Sequence, residues 1–250
     1  MSAARGGRAA RQSSASRGAE DRAESRGAAG DTGRLRTLVI DIGGTHVKLL
    51  ASGRRVPVKI DSGPTLTPRA MVAGVREAVR DWRFERITVG YPGPVVAGRP
   101  ASDPRNLAAG WMRFDFAKAF ALPVRIVNDA AMQALGSYDG GRMLFLGLGT
   151  GLGSALVDEG FLLPLELAHL PYRDDRTFED YLGVRGLERL GRAKWAKHVA
   201  LVAELLRTAL VADHVVLGGG NVKKLERMPA HCRRGDNKNA FRGGFRLWER

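Results

Sequence analysis

A short glycine-rich segment between two apolar runs has the residue types that bind phosphate. In residues 41–48, paired glycines let backbone N–H groups approach an anion, and Thr45 adds a hydroxyl donor. Asp41, at the end of the first run, can hold the water shell of Mg²⁺. We call this segment the first glycine corner, or first corner. Its candidate phosphate-binding residues are Asp41, Gly43, Gly44, Thr45 and Lys48. A tight hairpin turn would use the same glycines, so the segment alone leaves both interpretations open.

Two further glycine corners follow apolar runs later in the chain. The second corner, Gly149, Thr150 and Gly151, is suited to wrapping a transferring or terminal phosphoryl group. The third offers bare backbone to a nucleotide base or a phosphate chain, and it consists of Gly218, Gly219, Gly220 and Asn221. Each of these corners alone is equally consistent with a strand turn. Three such corners in this order are more specific and favour phosphoryl chemistry.

An acidic residue follows another apolar run. Asp129 comes directly after residues 124–127 and before a helix-prone segment that is rich in alanine. At such a position an aspartate is either the N-cap of a helix or a base that orients a hydroxyl and accepts its proton. Ligands usually meet open α/β sheets at the ends of strands, so a functional role is compatible with this position, but the position alone leaves both interpretations open.

Apolar runs and turn residues predict strands and helices that place these groups. Strands are predicted over residues 38–40, 47–50, 55–60, 86–89, 124–127, 143–148, 154–157 and 214–217. Thr67 and Pro68 predict a helix start, because they form an N-cap and a first-turn proline. Apolar spacing predicts a long helix over roughly 192–212 and a closing helix over 240–248. Two strand-glycine-strand units in one chain indicate a duplicated architecture.

The composition is that of a soluble globular protein, with 44% hydrophobic and 26% charged residues. The longest uncharged apolar stretch, residues 143–157, is too short and too rich in glycine to span a bilayer. The one cysteine, Cys232, excludes an internal disulfide and a multi-cysteine metal site, and it favours the cytoplasm. No secretory signal is expected.

The formal net charge of +14 favours polyanionic partners such as nucleic acid, an acidic membrane surface or a phosphate-rich substrate. Residues 1–35 lack aromatic residues and apolar periodicity, so a disordered basic tail is predicted there. Its arginines could bind nucleic acid without sequence preference, alongside a catalytic function. Later basic residues are interpreted as a solvated helix face that could also track a long anionic donor: Arg185, Arg189, Arg192, Lys194 and Lys197.

The order of these motifs resembles the ROK family of sugar kinases, in the actin, hexokinase and heat-shock ATPase superfamily, and above all its polyphosphate glucokinase branch. The resemblance covers the chain from about residue 35 to its end. The matching motifs are residues 41–48, 91–95, 106–111, 128–130, 147–154, 164–169 and 218–220. The resemblance implies two ribonuclease-H-like α/β domains with a cleft between them. The smaller would span 36–130, completed by the closing helix at about 240–250, and the larger 131–239.

The resemblance also implies a reaction. A sugar kinase of this kind transfers a phosphoryl group from inorganic polyphosphate, ATP or both to the 6-hydroxyl of glucose, giving glucose 6-phosphate. Asp129 matches the catalytic base of the family, and the implied cofactor is Mg²⁺, held through water at Asp41. The implied sugar-binding residues are Asn106, Asn128, Glu166, His169 and Glu179. Many members carry a cysteine-rich zinc motif after the histidine, but this sequence lacks one there, so no zinc is expected.

One alternative is a non-catalytic sugar- or nucleotide-binding protein that retains the kinase fold. Intact Asp41, Asp129 and glycine corners argue against it, because a binding module does not need the base. The implied partners are glucose and the phosphoryl donor, with no specific nucleic acid and no membrane. A homodimer is compatible with the sequence, which does not fix the oligomeric state.

Overall fold

The computed structural model describes residues 35–249, and the tail predicted over residues 1–35 lies, apart from Leu35, outside the described residues. Its strands are β1 (Thr37–Ile42), β2 (His46–Ala51), β3 (Val58–Asp61), β4 (Arg86–Tyr91), β5 (Val95–Val96), β6 (Arg99–Pro100), β7 (Val124–Asn128), β8 (Met143–Leu148), β9 (Leu152–Asp158), β10 (Phe161–Leu165), β11 (Pro171–Arg173), β12 (Arg176–Thr177), β13 (His214–Gly218) and β14 (Cys232–Arg234). Its helices are α1 (Pro68–Ala78), α2 (Phe116–Phe120), α3 (Asp129–Ser137), α4 (Phe178–Leu182), α5 (Val184–Ala209) and α6 (Asn239–Arg246), with a 3-10 turn at Val222–Lys224.

Two five-stranded sheets share one plan. Their strand orders are β3-β2-β1-β4-β7 and β10-β9-β8-β13-β14. In each sheet, three antiparallel strands come first, and two parallel strands extend the other side. The repeated plan agrees with the predicted duplication. It places the first corner between β1 and β2 and the second at the equivalent point between β8 and β9.

The buried residues of the first sheet follow its sequence pattern closely. All six residues of β1 are buried, as expected for a central strand with parallel and antiparallel neighbours. Helix α1 covers this sheet with Met71, Val72 and Val75. Its start matches the prediction, because the side chain of Thr67 accepts a hydrogen bond from Ala70 N at 3.2 Å.

The long helix α5 begins earlier than the predicted start near residue 192. Gly191 has φ 73, so helical geometry is interrupted there and two helical segments meet at a kink. The second segment carries the continuous apolar face that the sequence shows, including Trp195 and Val199. The first segment packs through Gly186, where an added Cβ would overlap the backbone of Tyr181. The same segment also packs Leu187 and Leu190 against the core.

Helix α3 contacts strands of both sheets and packs tightly on α6. A Cβ added at Gly136 would overlap Asn239 O, and one added at Gly243 would overlap Met132 O. The two helices therefore meet backbone to backbone. Helix α6 also lies on β1 and β4.

Residues Arg36–Arg250 form one compact unit. Its division into a smaller domain at 36–130 with the closing helix and a larger one at 131–239 stays a prediction. Among residues 35–249, each helix is either too short or too polar to cross a bilayer.

Candidate active site

The first corner is a tight turn between β1 and β2. Gly43 N donates a hydrogen bond to His46 O at 3.0 Å, while Gly44 and Thr45 are exposed. The antiparallel register places Asp41 opposite Lys48, and Lys48 Nζ donates to Asp41 Oδ2 at 3.2 Å. Lys48 therefore balances the charge of a largely buried carboxylate beside the corner.

The second and third corners, which the sequence separates widely, are neighbours. Asn221 Nδ2 donates to Gly149 O at 2.9 Å, and Asn221 N donates to Leu148 O at 2.9 Å. Gly219 has φ 82, and an added Cβ would lie 2.5 Å from Leu148 O. Only glycine fits this conformation and this approach. The two corners thus form one continuous backbone surface, and Thr150 is exposed on it.

Asp129 is the first residue of α3, and the preceding residue caps the helix. Asn128 Oδ1 accepts hydrogen bonds from Ala130 N at 3.0 Å and Ala131 N at 3.2 Å. Asn128 Nδ2 donates to Gly93 O at 3.0 Å. Because Asn128 supplies the cap, the Asp129 carboxylate is left for another role.

Its surroundings make the Asp129 carboxyl unusually basic. Burial is the largest cause, and the negative charges of Asp41 and Glu166 add to it. Hydrogen bonding from Ala130 N, at 2.8 Å from Asp129 Oδ1, acts in the opposite direction. Together these raise the pKa of Asp129 to about 7. A carboxylate with such a pKa is suited to accepting a proton near neutral pH.

Of the residues matched to sugar binding, Glu166 lies near enough to Asp129 for its charge to act there, and His169 and Glu179 act on Glu166. Glu166 follows β10, and its pKa is raised by burial and by the charge of Glu179, while His169 lowers it. Asn106 is exposed beside the first corner, since a Cβ added at Gly44 would lie 3.5 Å from Asn106 Cβ. The structure thus brings two carboxylates and a histidine close together, with Glu166 also acting on Asp129.

A loop closed by Asp103 carries Asn106. Asp103 Oδ1 accepts hydrogen bonds from Trp111 N at 2.7 Å and Met112 N at 3.2 Å, and Oδ2 accepts from Gly110 N at 3.2 Å. These three bonds lower the pKa of Asp103. They join the two ends of the segment 103–112, which includes Asn106.

Glu179 lies against the second corner. Its Oε2 accepts a hydrogen bond from Leu152 N at 3.4 Å, and a Cβ added at Gly151 would overlap this oxygen. Its Oε1 lies 3.3 Å from Arg185 Nη2 and 3.8 Å from Arg105 Nη1. Sequence analysis missed Arg105, for which the signal was its position directly before Asn106. It named Arg185 as part of a basic face, but not its contact with Glu179.

Strand β9, which begins directly after the second corner, contacts the helix that carries Asp129. A Cβ added at Gly153 would lie 2.5 Å from Ala130 Cβ. We expect Gly153→Ala to displace the first turn of α3 and lower kcat by at least about tenfold, because small misplacements of reacting groups are costly. Steady-state rates of the purified variant measure this. Gly74→Ala on α1 adds the same methyl group elsewhere, and an equal loss in both variants would contradict the prediction.

Known proteins resemble this chain in sequence and in fold. No family model matches the chain. Polyphosphate glucokinase from Mycobacterium leprae (strain TN) is 30% identical over 220 residues, which are 80% of this chain and 68% of that protein. Polyphosphate glucokinase from Mycobacterium tuberculosis (strain ATCC 25618 / H37Rv) is 29% identical over 212 residues, 75% of this chain and 78% of that protein.

Solved structures share the fold. The inorganic polyphosphate/ATP-glucomannokinase from Arthrobacter sp. strain KM superposes with a TM-score of 0.72 at 22% identity, covering 84% of this chain and 97% of that chain. A ROK family glucokinase from Streptomyces griseus, in complex with glucose and AMPPNP, has a TM-score of 0.66 at 18% identity, covering 85% and 98%. The two-sheet architecture is therefore the actin-like ATPase fold of sugar kinases, which confirms the predicted fold class. The sequence comparison carries the assignment further. The chain belongs to the ROK family of sugar kinases, in its polyphosphate glucokinase branch.

Proposed function

We propose that this protein is a glucokinase that transfers a phosphoryl group from inorganic polyphosphate, ATP or both to the 6-hydroxyl of glucose, giving glucose 6-phosphate. The observation that carries the proposal is the basic carboxylate of Asp129 at the start of α3, in electrostatic contact with Asp41 of the first corner. The start of β9, next to the second corner, approaches the same helix where Gly153 meets Ala130. The names of the relatives support the choice of acceptor and donors.

Asp129 acts as the general base. Its carboxylate accepts a hydrogen bond from the sugar 6-hydroxyl and takes the proton as the new oxygen–phosphorus bond forms and the bond to the leaving phosphate breaks. Charge on the transferring group is spread over its equatorial oxygens, where backbone N–H groups of the glycine corners and the hydroxyl of Thr45 stabilise it.

The other sugar hydroxyls are held by Asn106, Glu166, His169 and Glu179. Carboxylates accept hydrogen bonds from hydroxyl groups, and the amide and imidazole can either donate or accept them. Asn128 has a narrower role than the family resemblance implies. Its Oδ1 already accepts two helix N–H groups, so it offers the sugar an amide N–H only.

The residues present fit a Mg²⁺ ion that has few protein ligands and is coordinated mainly by water and phosphate oxygens. Asp41 is a largely buried carboxylate whose charge acts on Asp129, so a cation beside it relieves their repulsion. Among residues 35–249, no three His, Cys, Asp or Glu side chains are grouped to hold a metal ion. Mg²⁺ commonly takes one or two protein carboxylates and completes its shell with water and substrate phosphates. When bound, it neutralises charge on the transferring phosphoryl group.

The third corner, residues 218–221, receives the rest of the donor beside the second corner. A nucleotide base and a phosphate chain both fit against bare backbone there, which is why both donors belong to the proposal. The proposal also includes a cytoplasmic location and no specific nucleic acid or membrane partner. The absence of zinc, the homodimer and the role of the N-terminal tail stay predictions.

The direct test is formation of glucose 6-phosphate by the purified protein with Mg²⁺, comparing ATP with long-chain polyphosphate at two salt concentrations. Product with either donor supports the kinase. A polyphosphate reaction that weakens with salt would tie the basic surface to this donor. Glucose binding without product from either donor would favour the sugar-binding alternative.

The pH dependence of the reaction follows from Asp129. Since only its ionised form accepts a proton and its pKa is about 7, kcat/KM should rise with pH and level off above about pH 7. Asp41→Asn removes a negative charge that raises this pKa, so the rising limb should move to lower pH whatever happens to the maximum rate. If the rising part of the pH profile does not move in this variant, the Asp41 charge does not raise the pKa of Asp129 and the prediction is wrong.

A further inference from the structure

Two arginines from distant parts of the chain meet at one oxygen of Glu179. Arg105 comes from the segment 103–112, and Arg185 lies in the first turn of α5. Their Nη atoms lie 3.8 Å and 3.3 Å from Glu179 Oε1. The side chain of Glu179 is 15% exposed, whereas those of Arg105 and Arg185 are 75% and 66% exposed. A buried carboxylate is thus covered on its solvent side by two guanidinium groups.

This carboxylate creates an electrostatic difficulty for the proposed donor site. Glu179 Oε2 touches the backbone of Gly151 and accepts a hydrogen bond from Leu152 N, so a negative charge lies directly against the second corner. A phosphate chain approaching that corner meets a like charge, which opposes binding. The two arginines are the positive charges placed to cancel it.

Both guanidinium groups retain unused donors. Within residues 35–249, the recorded contacts of Arg185 with acids use Nη2 alone, toward Glu179 and toward Asp180 Oδ1 at 3.5 Å. Arg105 contacts Glu179 through Nη1. Guanidinium carries five N–H donors in a planar fork that matches phosphate oxygens. Each arginine can therefore hold Glu179 and a phosphate at the same time.

We propose that Arg105 and Arg185 form a counter-charge pair that binds the non-transferred phosphates of the donor and cancels the Glu179 charge at the second corner. This inference rests on the proposed function for the identity of the donor. The ligand chemistry is a linear phosphoanhydride polyanion, which inorganic polyphosphate and the triphosphate of ATP share.

The test uses the full chain and tripolyphosphate, whose binding is measured by calorimetry without sugar, so that no turnover is needed. Arg105→Gln and Arg185→Gln should each weaken binding about three- to tenfold, and the double variant more. The dependence of affinity on salt should become less steep, since fewer cations face the chain. Lysine at either position should retain part of the affinity, because the charge remains but the fork of donors does not. Arg80→Gln is the matched control, as Arg80 follows α1 and pairs with the exposed side chain of Glu77.

Glu179→Gln in the double-glutamine background is the decisive variant. If the arginines cancel the carboxylate, removing its charge should restore part of the lost tripolyphosphate affinity. Failure of the parent to bind tripolyphosphate, or unchanged affinity in the double variant, overturns the inference. So does a change confined to the KM for glucose, which would mean that the arginines only orient Glu179 toward the sugar.

The outcomes separate the inference from the proposed function. If the parent protein binds tripolyphosphate through these arginines but makes no glucose 6-phosphate, the inference about the arginines stands and the proposed kinase activity is wrong. If the parent makes glucose 6-phosphate but the double variant binds the donor as tightly as the parent, the kinase activity stands and the inference about the arginines is wrong.

Discussion

Asp129→Asn should lower the rate of glucose 6-phosphate formation by about a thousandfold, within the range that general bases contribute. The amide keeps the size of the carboxylate and one acceptor oxygen, but it cannot take the proton of the 6-hydroxyl. Glucose affinity should therefore stay within about tenfold of the parent, since the other sugar contacts are untouched. Initial rates and glucose binding by calorimetry measure the two quantities separately.

The same variant reports on its own folding. Because the pKa of Asp129 is raised in the folded chain, its ionised form costs stability above the ordinary aspartate pKa, and asparagine removes this cost. At pH 8 the variant should unfold at no lower temperature than the parent. Asp115→Asn, at the cap of α2, makes the same chemical change away from the site. Near-normal turnover by the Asp129→Asn variant would contradict the role of Asp129 as the general base.

Gly243→Ala should destabilise the protein by roughly 3 kcal/mol or more, because overpacking a close contact forces the backbone to move. Alanine normally stabilises a helix interior relative to glycine by up to about 1 kcal/mol, so propensity alone predicts the opposite sign. The contact decides the outcome, since the new methyl group would overlap Met132 O in α3. Thermal and urea unfolding measure the change.

Arg242→Ala is the matched control for Gly243→Ala, because it alters the exposed face of the same helix. Its effect should stay within about 0.5 kcal/mol, as for most surface substitutions. Because α3 begins at Asp129, Gly243→Ala should also lower kcat at temperatures where the variant remains folded. A Gly243→Ala variant as stable as the parent would contradict the close contact between α3 and α6 at this residue.

The sequence predicted elements that depend on local patterns. Apolar runs located the central strands, and Thr67 with Pro68 located the start of α1, because these signals involve residues a few positions apart. The start of α5 was predicted too late, because the long apolar face belongs to the segment after Gly191, where the helical geometry is interrupted. The first segment carries only Val184, Leu187 and Leu190 at helical spacing, which is too short a run to predict a helix by itself.

The candidate site was predictable as a set of residues but not as an arrangement. The glycine corners were evident, yet only the fold brings Asn221 to Gly149. Likewise, the family resemblance implies sugar binding by Glu179, whereas its contacts with Arg105 and Arg185 depend on tertiary structure. Contacts between residues so far apart in the chain have no local signal in a single sequence.

The segment of residues 103–112 supplies a neighbour to each of the first two glycine corners. Asn106 lies beside Gly44 of the first corner, and Arg105 contacts Glu179, which lies against the second corner. Asp103 closes the segment on itself, because its carboxylate accepts hydrogen bonds from Gly110 N, Trp111 N and Met112 N. An insertion or deletion in this one short stretch would therefore disturb contacts at both corners at once.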